Sequence, residues 1–235
     1  MQSVSIIIPA YNEEAAIQNT LLRVINYFSQ KGFDFEVLVV DDGSVDRTRE
    51  LVKEKMAEYG MVRLLSNEKN RGKGFSVRRG ALQAEKGWIL FMDADLSTTP
   101  EEFEKFLDAM KSHDIVIGSR AAPGAEIRIR QPILRELAGR FFNKIIRLYL
   151  GLPFYDTQCG FKCFNKKTKI LFERQKLEGW VFDVELLYLA KKMGFKVAEV
   201  PITWVNDPTS TVKSSDFLKI IRDIKRVKRT WKKVF

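Results

Sequence analysis

The stretch "WILFMDADLSTTP", residues 88–100, decides how this chain folds. Trp88 to Met92 form a continuous apolar run, the pattern of a strand buried on both faces, as in a parallel sheet covered by helices. The run stops at Asp93 and Asp95, two carboxylates that burial would exclude. Side chains two apart in an extended segment point the same way, so both acids are presented to one place just past the strand end.

The pattern repeats through the first half of the chain. Val4 to Ile8, Phe35 to Val40, Val62 to Leu65 and Ile115 to Ile117 are further short apolar runs. Between them lie helical patterns over Ala15 to Phe28, with Ile17, Leu21, Leu22, Val24, Ile25 and Phe28 in register, and over Arg47 to Tyr59. Alternation of this kind predicts an α/β fold, a doubly wound, mostly parallel sheet with helices on both faces. In such sheets ligands bind beyond the carboxyl ends of the strands. The loops that gather there carry Pro9-Ala10-Tyr11-Asn12-Glu13-Glu14, Asp41 to Asp46, Asn70-Arg71-Gly72-Lys73-Gly74, Asp93-Ala94-Asp95 and Gly118-Ser119-Arg120.

Capping the next helix is the plain explanation for Asp93 and Asp95, but Thr99-Pro100-Glu101-Glu102 already supplies a cap residue, a proline at the first helical position and an acid three residues on. Two adjacent carboxylates repel unless a cation lies between them or one is protonated. Mg²⁺ or Mn²⁺, a hard ion that keeps open positions for diphosphate oxygens, answers that need. A diphosphate implies a nucleotide. Asp42 is placed to accept from its base or ribose, Tyr11 and Glu13 to flank it, and Lys73 to meet phosphate. Ser44 and Asp46 are expected to cap the following helix. Gly72-Lys73-Gly74 matches neither a dinucleotide fingerprint nor a P-loop.

The pattern changes from about residue 121. Arg128, Arg130, Arg135 and Arg140 lead into a helix over Leu134 to Leu150, followed by the loop Tyr155 to Lys162 and the segment Trp180 to Glu185. The tail from Phe217 to Phe235 is a basic amphipathic helix, with Phe217, Ile220, Ile221, Ile224, Val227, Trp231 and Val234 on one stripe. The expected organisation is a catalytic domain over 1–213, split into a nucleotide half (1–120) and an acceptor half (121–213), and a C-terminal helix over 214–235.

Composition narrows the partners. A net charge of +10 predicts attraction to something anionic. Nucleic acid is disfavoured, because carboxylates at the sheet edge would repel a polyanion. Cys159 and Cys163 are too few for a disulfide framework and, with His113 the single histidine, too few for a zinc site; they are expected to be reduced and structural. No apolar run of about 18 residues and no signal-peptide pattern is present, so the expectation is a protein with no transmembrane span and no secretion that stays in the cytoplasm.

With these residues assembled, the chain resembles the GT-A glycosyltransferases of family 2. The motifs are "VSIIIPAYNEE", "VLVVDDGSVDRT", "NRGKG", "FMDADLS" and "IVIGSRA"; "YDTQCGFKCF" and "WVFDVELLYLA" are similar more narrowly to the dolichyl-phosphate glucosyl- and mannosyltransferases. The resemblance implies that Asp93 and Asp95 bind the metal, that Pro9, Ala10, Tyr11, Glu13, Asp42 and Lys73 line the nucleotide pocket, and that Arg120 approaches the donor or acceptor phosphates. It implies an inverting hexosyltransferase, moving glucose from UDP-glucose, or mannose from GDP-mannose, to a polyprenyl or dolichyl phosphate.

A phosphate monoester is already ionised near neutral pH and needs no general base, so positioning and charge carry the reaction. Arg128, Arg130 and Arg135 are the candidate clamp for the acceptor phosphate. Asp156 and Gln158 are expected to orient sugar or acceptor, and Asp183 and Glu185 to support the acceptor side. A family member acting on a saccharide hydroxyl is the rival, with Asp156 or Asp183 as its base. The tail helix is expected to lie on an anionic membrane surface; Phe141 to Leu150 fits that place and core packing equally.

Overall fold

The structure, a computed structural model, describes residues 2–129, 133–206 and 216–232. Seven strands form one sheet: β1 (Ser3–Ala10), β2 (Asp34–Asp41), β3 (Val62–Ser66), β4 (Trp88–Met92), β5 (Ile115–Ser119), β7 (Phe161–Asn165) and β8 (Val197–Pro201). Their order is β3-β2-β1-β4-β7-β5-β8, parallel except for β7, which runs antiparallel to both neighbours. A small parallel pair, β6 (Glu126–Ile129) with β9 (Thr203–Val205), lies apart from it. The chain winds outward from β1 to β2 and β3, then returns to place β4 on the other side of β1. The switch point of the sheet is therefore the crevice between the ends of β1 and β4.

Strand alternation divides the core in two. Ile7, Leu38, Val40, Ile89 and Phe91 face one side, under α3 (Lys73–Gln83), α5 (Ile170–Arg174) and α6 (Phe182–Lys192). Ile6, Ile8, Val37, Val39, Leu90 and Met92 face the other, under α1 (Ile17–Gln30) and α2 (Thr48–Glu58). Covering both faces is what makes these strands read as unbroken apolar runs.

Two expectations change. The signal at Thr99-Pro100 produces a 3₁₀ helix, Pro100–Phe106, in which the Thr99 hydroxyl bonds no helix amide; the Glu102 amide bonds the Thr99 carbonyl instead, and the Glu102 carboxylate accepts from the Thr203 amide at 2.9 Å. The apolar stripe of α7 (Asp216–Lys232) is not offered to a bilayer: Ile224, Val227 and Trp231 are buried in the core beside α6, with Ile220 packed against them. In α4 (Ile133–Leu150) Ile146 and Leu150 are buried in the core while Ile145, Leu148 and Tyr149 are exposed, so core packing takes part of the stretch that begins at Phe141. The boundary expected at 213/214, the Phe217 side chain and Val234 lie outside the described residues. Among the described residues, no helix is long and apolar enough to cross a membrane.

Candidate active site

Two loops meet above the switch point and are laced together. The Asn12 amide donates to Ser44 Oγ at 2.9 Å, the Val45 amide to Asn12 Oδ1 at 3.0 Å, the Glu13 amide to Thr48 Oγ1 at 2.7 Å and the Glu14 amide to Asp46 Oδ2 at 3.1 Å. Asp46 also accepts the Thr48 amide at 3.0 Å, the cap expected of it. Ser44 departs from that expectation by reaching across to the first loop.

Asp42 is buried and already well used. It accepts from Asn67 Nδ2 at 2.7 Å, the Arg71 amide at 3.0 Å and the Gly72 amide at 2.7 Å. It thus fixes the turn that carries Arg71 and Lys73, while still lining the cavity beside it. Gly72 is required in that turn: its φ is +104°, and a Cβ there would stand 2.6 Å from the Glu178 carbonyl oxygen.

Asp93 and Asp95 both open into one cavity of about 1460 Å³, and Ala94 between them is buried. Gly160 makes room for the first acid, because a Cβ there would overlap the Asp93 carboxylate. Lys73 forms an ion pair with Asp93. Burial would lower the Lys73 ammonium, but the carboxylates of Asp93, Asp183 and Asp95 hold it above its ordinary value. Burial, and then the neighbouring Asp93 charge, push the Asp95 carboxyl above the usual range, against the pull of the Ser97 amide and Lys73.

This donor set fits a hard divalent cation. Among the described residues no group of three or more His, Cys, Asp or Glu forms a closed cage. Two carboxylates facing open space are what Mg²⁺ or Mn²⁺ takes when substrate phosphates complete its shell.

Pro9, Ala10, Tyr11, Glu13, Asp42, Lys73, Asp93 and Asp95 all line the one cavity. The other expected residues are placed differently. Arg120 is bound to Asp156 through Nε at 2.6 Å and Nη2 at 3.0 Å, with its guanidinium carbon 5.5 Å from the Trp204 ring centroid. Burial would raise the Asp156 carboxyl, but Arg120 holds it down at about 2. The Asp156 loop is itself pinned by Glu199, which accepts the Tyr155 and Asp156 amides at 2.8 and 2.7 Å; the Gln158 amide turns back to Asp156 Oδ1 at 3.1 Å.

Asp183 is buried against Lys162, which itself donates to the Cys159 carbonyl at 2.5 Å. Cys159 and Cys163 are free and buried, and burial pushes the Cys159 thiol up to about 11. Glu185 does not line the cavity. It accepts the Lys176 and Leu177 amides at 3.0 and 2.8 Å and Trp231 Nε1 at 2.8 Å, tying α7 to the loop 176–180. Arg128 is exposed on β6 and is not among the residues lining the cavity; Arg130 and the Arg135 side chain lie outside the described residues.

Sequence reasoning missed two parts of the cavity wall. One is the loop Lys176 to Trp180; the other is the basic face of α7, with Lys219, Arg222, Lys225, Arg226 and Arg229. The tail's amphipathic pattern was visible, but nothing in it says which surface its cations meet.

Comparison with known proteins agrees with this geometry. The model of glycosyl transferase family 2 matches residues 5–168. The dolichyl-phosphate beta-glucosyltransferase ALG5C of Trichomonas vaginalis is 37% identical over 234 residues, covering 94% of this chain and 69% of that protein. The dolichyl-phosphate beta-glucosyltransferase of Saccharomyces cerevisiae is 32% identical over 241 residues, covering 94% and 72%. Among solved structures, glucosyl-3-phosphoglycerate synthase from Mycobacterium tuberculosis, in complex with Mn²⁺, UDP-glucose and phosphoglyceric acid, superposes with a TM-score of 0.70 over 96% of this chain and 78% of that one, at 18% identity. A fold with its switch-point crevice lined by an acid pair, and a family model that spans most of the chain, lead to one conclusion: this chain belongs to glycosyl transferase family 2.

Proposed function

We propose that this chain transfers glucose from UDP-glucose to a polyprenyl phosphate of the dolichyl type, at the cytoplasmic face of a membrane. The observation that carries the reading is the pair Asp93 and Asp95, opening beside Lys73 into the cavity at the switch point. The names of the relatives supply the sugar and the acceptor class, and the neighbouring synthase structures, crystallised with Mn²⁺ or Mg²⁺ and UDP, support a divalent metal.

Asp93 and Asp95 would hold the ion, which when bound supplies Lewis-acid stabilisation of charge on the departing diphosphate. Pro9, Ala10, Tyr11, Glu13 and Asp42 would enclose the nucleotide, and Lys73 would exchange its partner Asp93 for a phosphate oxygen. Arg120, oriented by its side-chain bonds to Asp156, would be the candidate for a donor or acceptor phosphate, though it is not itself among the residues lining the cavity. A phosphate acceptor needs no general base. The reading is consistent with a site whose buried acids are spent on structure: Asp156 on Arg120, Asp183 on Lys162, and Glu185 on Trp231.

The test is a panel of labelled sugar nucleotides with a polyprenyl phosphate and Mn²⁺ or Mg²⁺, scored for lipid-extractable product. UDP-glucose should give the product. Transfer from GDP-mannose alone, or to a saccharide hydroxyl alone, would replace the reading. Asp95→Asn should remove transfer by at least about 100-fold, the usual cost of a lost electrostatic contact in the transition state, without changing the melting temperature by more than a few degrees.

A further inference from the structure

The cavity has walls of opposite charge. Glu13, Asp42, Asp93 and Asp95 stand on the side of the sheet edge, and α7 lines the same space with Lys219, Arg222, Lys225, Arg226 and Arg229. Helical geometry explains how one segment does this. Residues 219, 222, 226 and 229 recur at the spacing of a single face, with 225 beside them, while 220, 224, 227 and 231 fall on the opposite stripe and are held in the core. The helix is fixed at that angle by Trp231, whose Nε1 donates to Glu185; the other Glu185 oxygen accepts the Lys176 and Leu177 amides at the cavity rim.

Five cations on one face repel one another, since 222 and 226, and 225 and 229, are neighbours one turn apart. Asp223 is the one acid that α7 sends to the same cavity. Among the described residues, no carboxylate lies within ion-pair distance of any of the five. All five side chains are exposed, yet they line the same open cavity as the acid pair, and five unpaired cations gathered on one wall of it call for an anionic ligand. The acid pair opposite cannot take an anion without a metal, so the basic wall is the side of the cavity that can meet phosphate oxygens directly.

We propose that the basic face of α7 is a phosphate-binding wall of the active-site cavity, positioning a phosphate-bearing substrate against Asp93 and Asp95. Two sources share that chemistry: the diphosphate of the donor and the monoester of the acceptor. The substrates named here rest on the proposed function; the wall itself does not. Guanidinium groups match phosphate oxygens two at a time, so Arg222, Arg226 and Arg229 form its centre.

The test uses the full chain with Arg222→Gln, Arg226→Gln and Arg229→Gln combined, and Lys232→Gln as a control for charge alone, since Lys232 is exposed on α7 but does not line the cavity. The triple variant should raise the KM of one substrate about tenfold or more, with kcat changed much less. Weaker UDP binding in the presence of Mn²⁺ assigns the wall to the donor. Unchanged UDP binding with a raised KM for polyprenyl phosphate assigns it to the acceptor. If both KM values stay at the wild-type level, the proposal is overturned, and a loss confined to sedimentation with phosphatidylserine vesicles would make the face a membrane contact instead.

Should the triple variant melt early, Arg226→Gln and Arg229→Gln are read singly by the same criteria. Binding of pyrophosphate and of inorganic phosphate to wild type and variant needs no turnover. A wild-type chain that binds them but transfers no sugar sinks the proposed function alone, and equal affinities in the two chains sink the wall alone.

Discussion

The acid pair keeps its place because of residues that have no chemistry of their own. Gly160 comes from β7's leading loop, far from Asp93 in sequence, and its missing side chain is what leaves the Asp93 carboxylate its place. Gly160→Ala should therefore push Asp93 aside and lower metal-dependent transfer about 100-fold, the cost of an ångström-scale misplacement, while thermal melting moves little; full activity would show that Asp93 has room elsewhere. Arg120 and Asp156 make a different case. The Asp156 side chain is 7% exposed and that of Arg120 31%, so removing one partner leaves a charge stranded in a partly wet site. Arg120→Gln should cost about 2–3 kcal/mol at pH 7, the low end for a buried pair. Asp156 sits at about 2 in the folded chain, below its ordinary 3.8. Its contribution is thus complete above pH 3.8 and is lost as pH falls through about 2. The stability gap between wild type and variant, followed by denaturant titration, should close across that window, and a gap that is constant down to pH 2 would deny the pair its role. Asp93, Asp95 and Asp42 were legible from sequence because acids at the end of a buried strand have few other uses. Gly160 and Glu199 were not, since a glycine's necessity and a carboxylate's capture of two amides are properties of loops brought together by the fold.

Elements differ in how openly they announce themselves. β1, β2, β4 and β5 carry unbroken apolar runs, Ile6–Ile8, Val37–Val40, Trp88–Met92 and Ile115–Ile117, because helices cover both their faces, and that continuity is readable residue by residue. β7 was not read as a strand. It is five residues long and carries Lys162 in its interior, fully buried, with an ammonium that is satisfied by the Cys159 carbonyl and by Asp183 on α6 and stands over the Phe91 ring. A charge in so short a run argues against burial until its distant partners are known. α7 shows the converse. Its amphipathic stripe was plain, yet a stripe fits a bilayer and a protein core equally well, and the structure gives it to the core. Trp231 decides between the two in solution. Trp231→Ala should destabilise the chain by about 3–5 kcal/mol through the cavity it leaves and the Glu185 oxygen it strands. Trp231→Phe keeps most of the packing and should cost roughly 1–3 kcal/mol, the price of an unsatisfied buried acceptor. A helix serving only as a membrane anchor would show neither loss in the absence of lipid, so urea unfolding of the lipid-free protein separates the two.

At the scale of the whole molecule, winding sends the ends of β1, β2 and β4 to one edge, and α7 closes that edge with the opposite charge. The doubly wound class follows from the order of apolar runs alone, because strand alternating with helix has few other solutions. The return of the tail over the cavity does not, because it depends on α6 and the loop 176–180 being in place to receive Trp231 and Glu185. The outcome is a chain of net charge +10 in which much of the positive charge near the catalytic crevice is concentrated on one helix. On the proposed function such a field would draw an anionic sugar nucleotide toward the crevice, and salt screens it over a length of about 10 Å at 0.1 M and about 3 Å at 1 M. The KM for UDP-glucose should therefore rise several-fold between about 0.05 and 0.5 M NaCl at saturating metal, with kcat much less affected, because contacts formed with bound substrate are screened less than those met on approach. The combined Arg222, Arg226 and Arg229 variant should show a shallower dependence than wild type, if the donor is what the wall receives. A KM indifferent to salt in the wild-type chain would mean that the excess charge serves some surface other than the crevice, and that the donor enters by contacts too short-ranged for screening to reach.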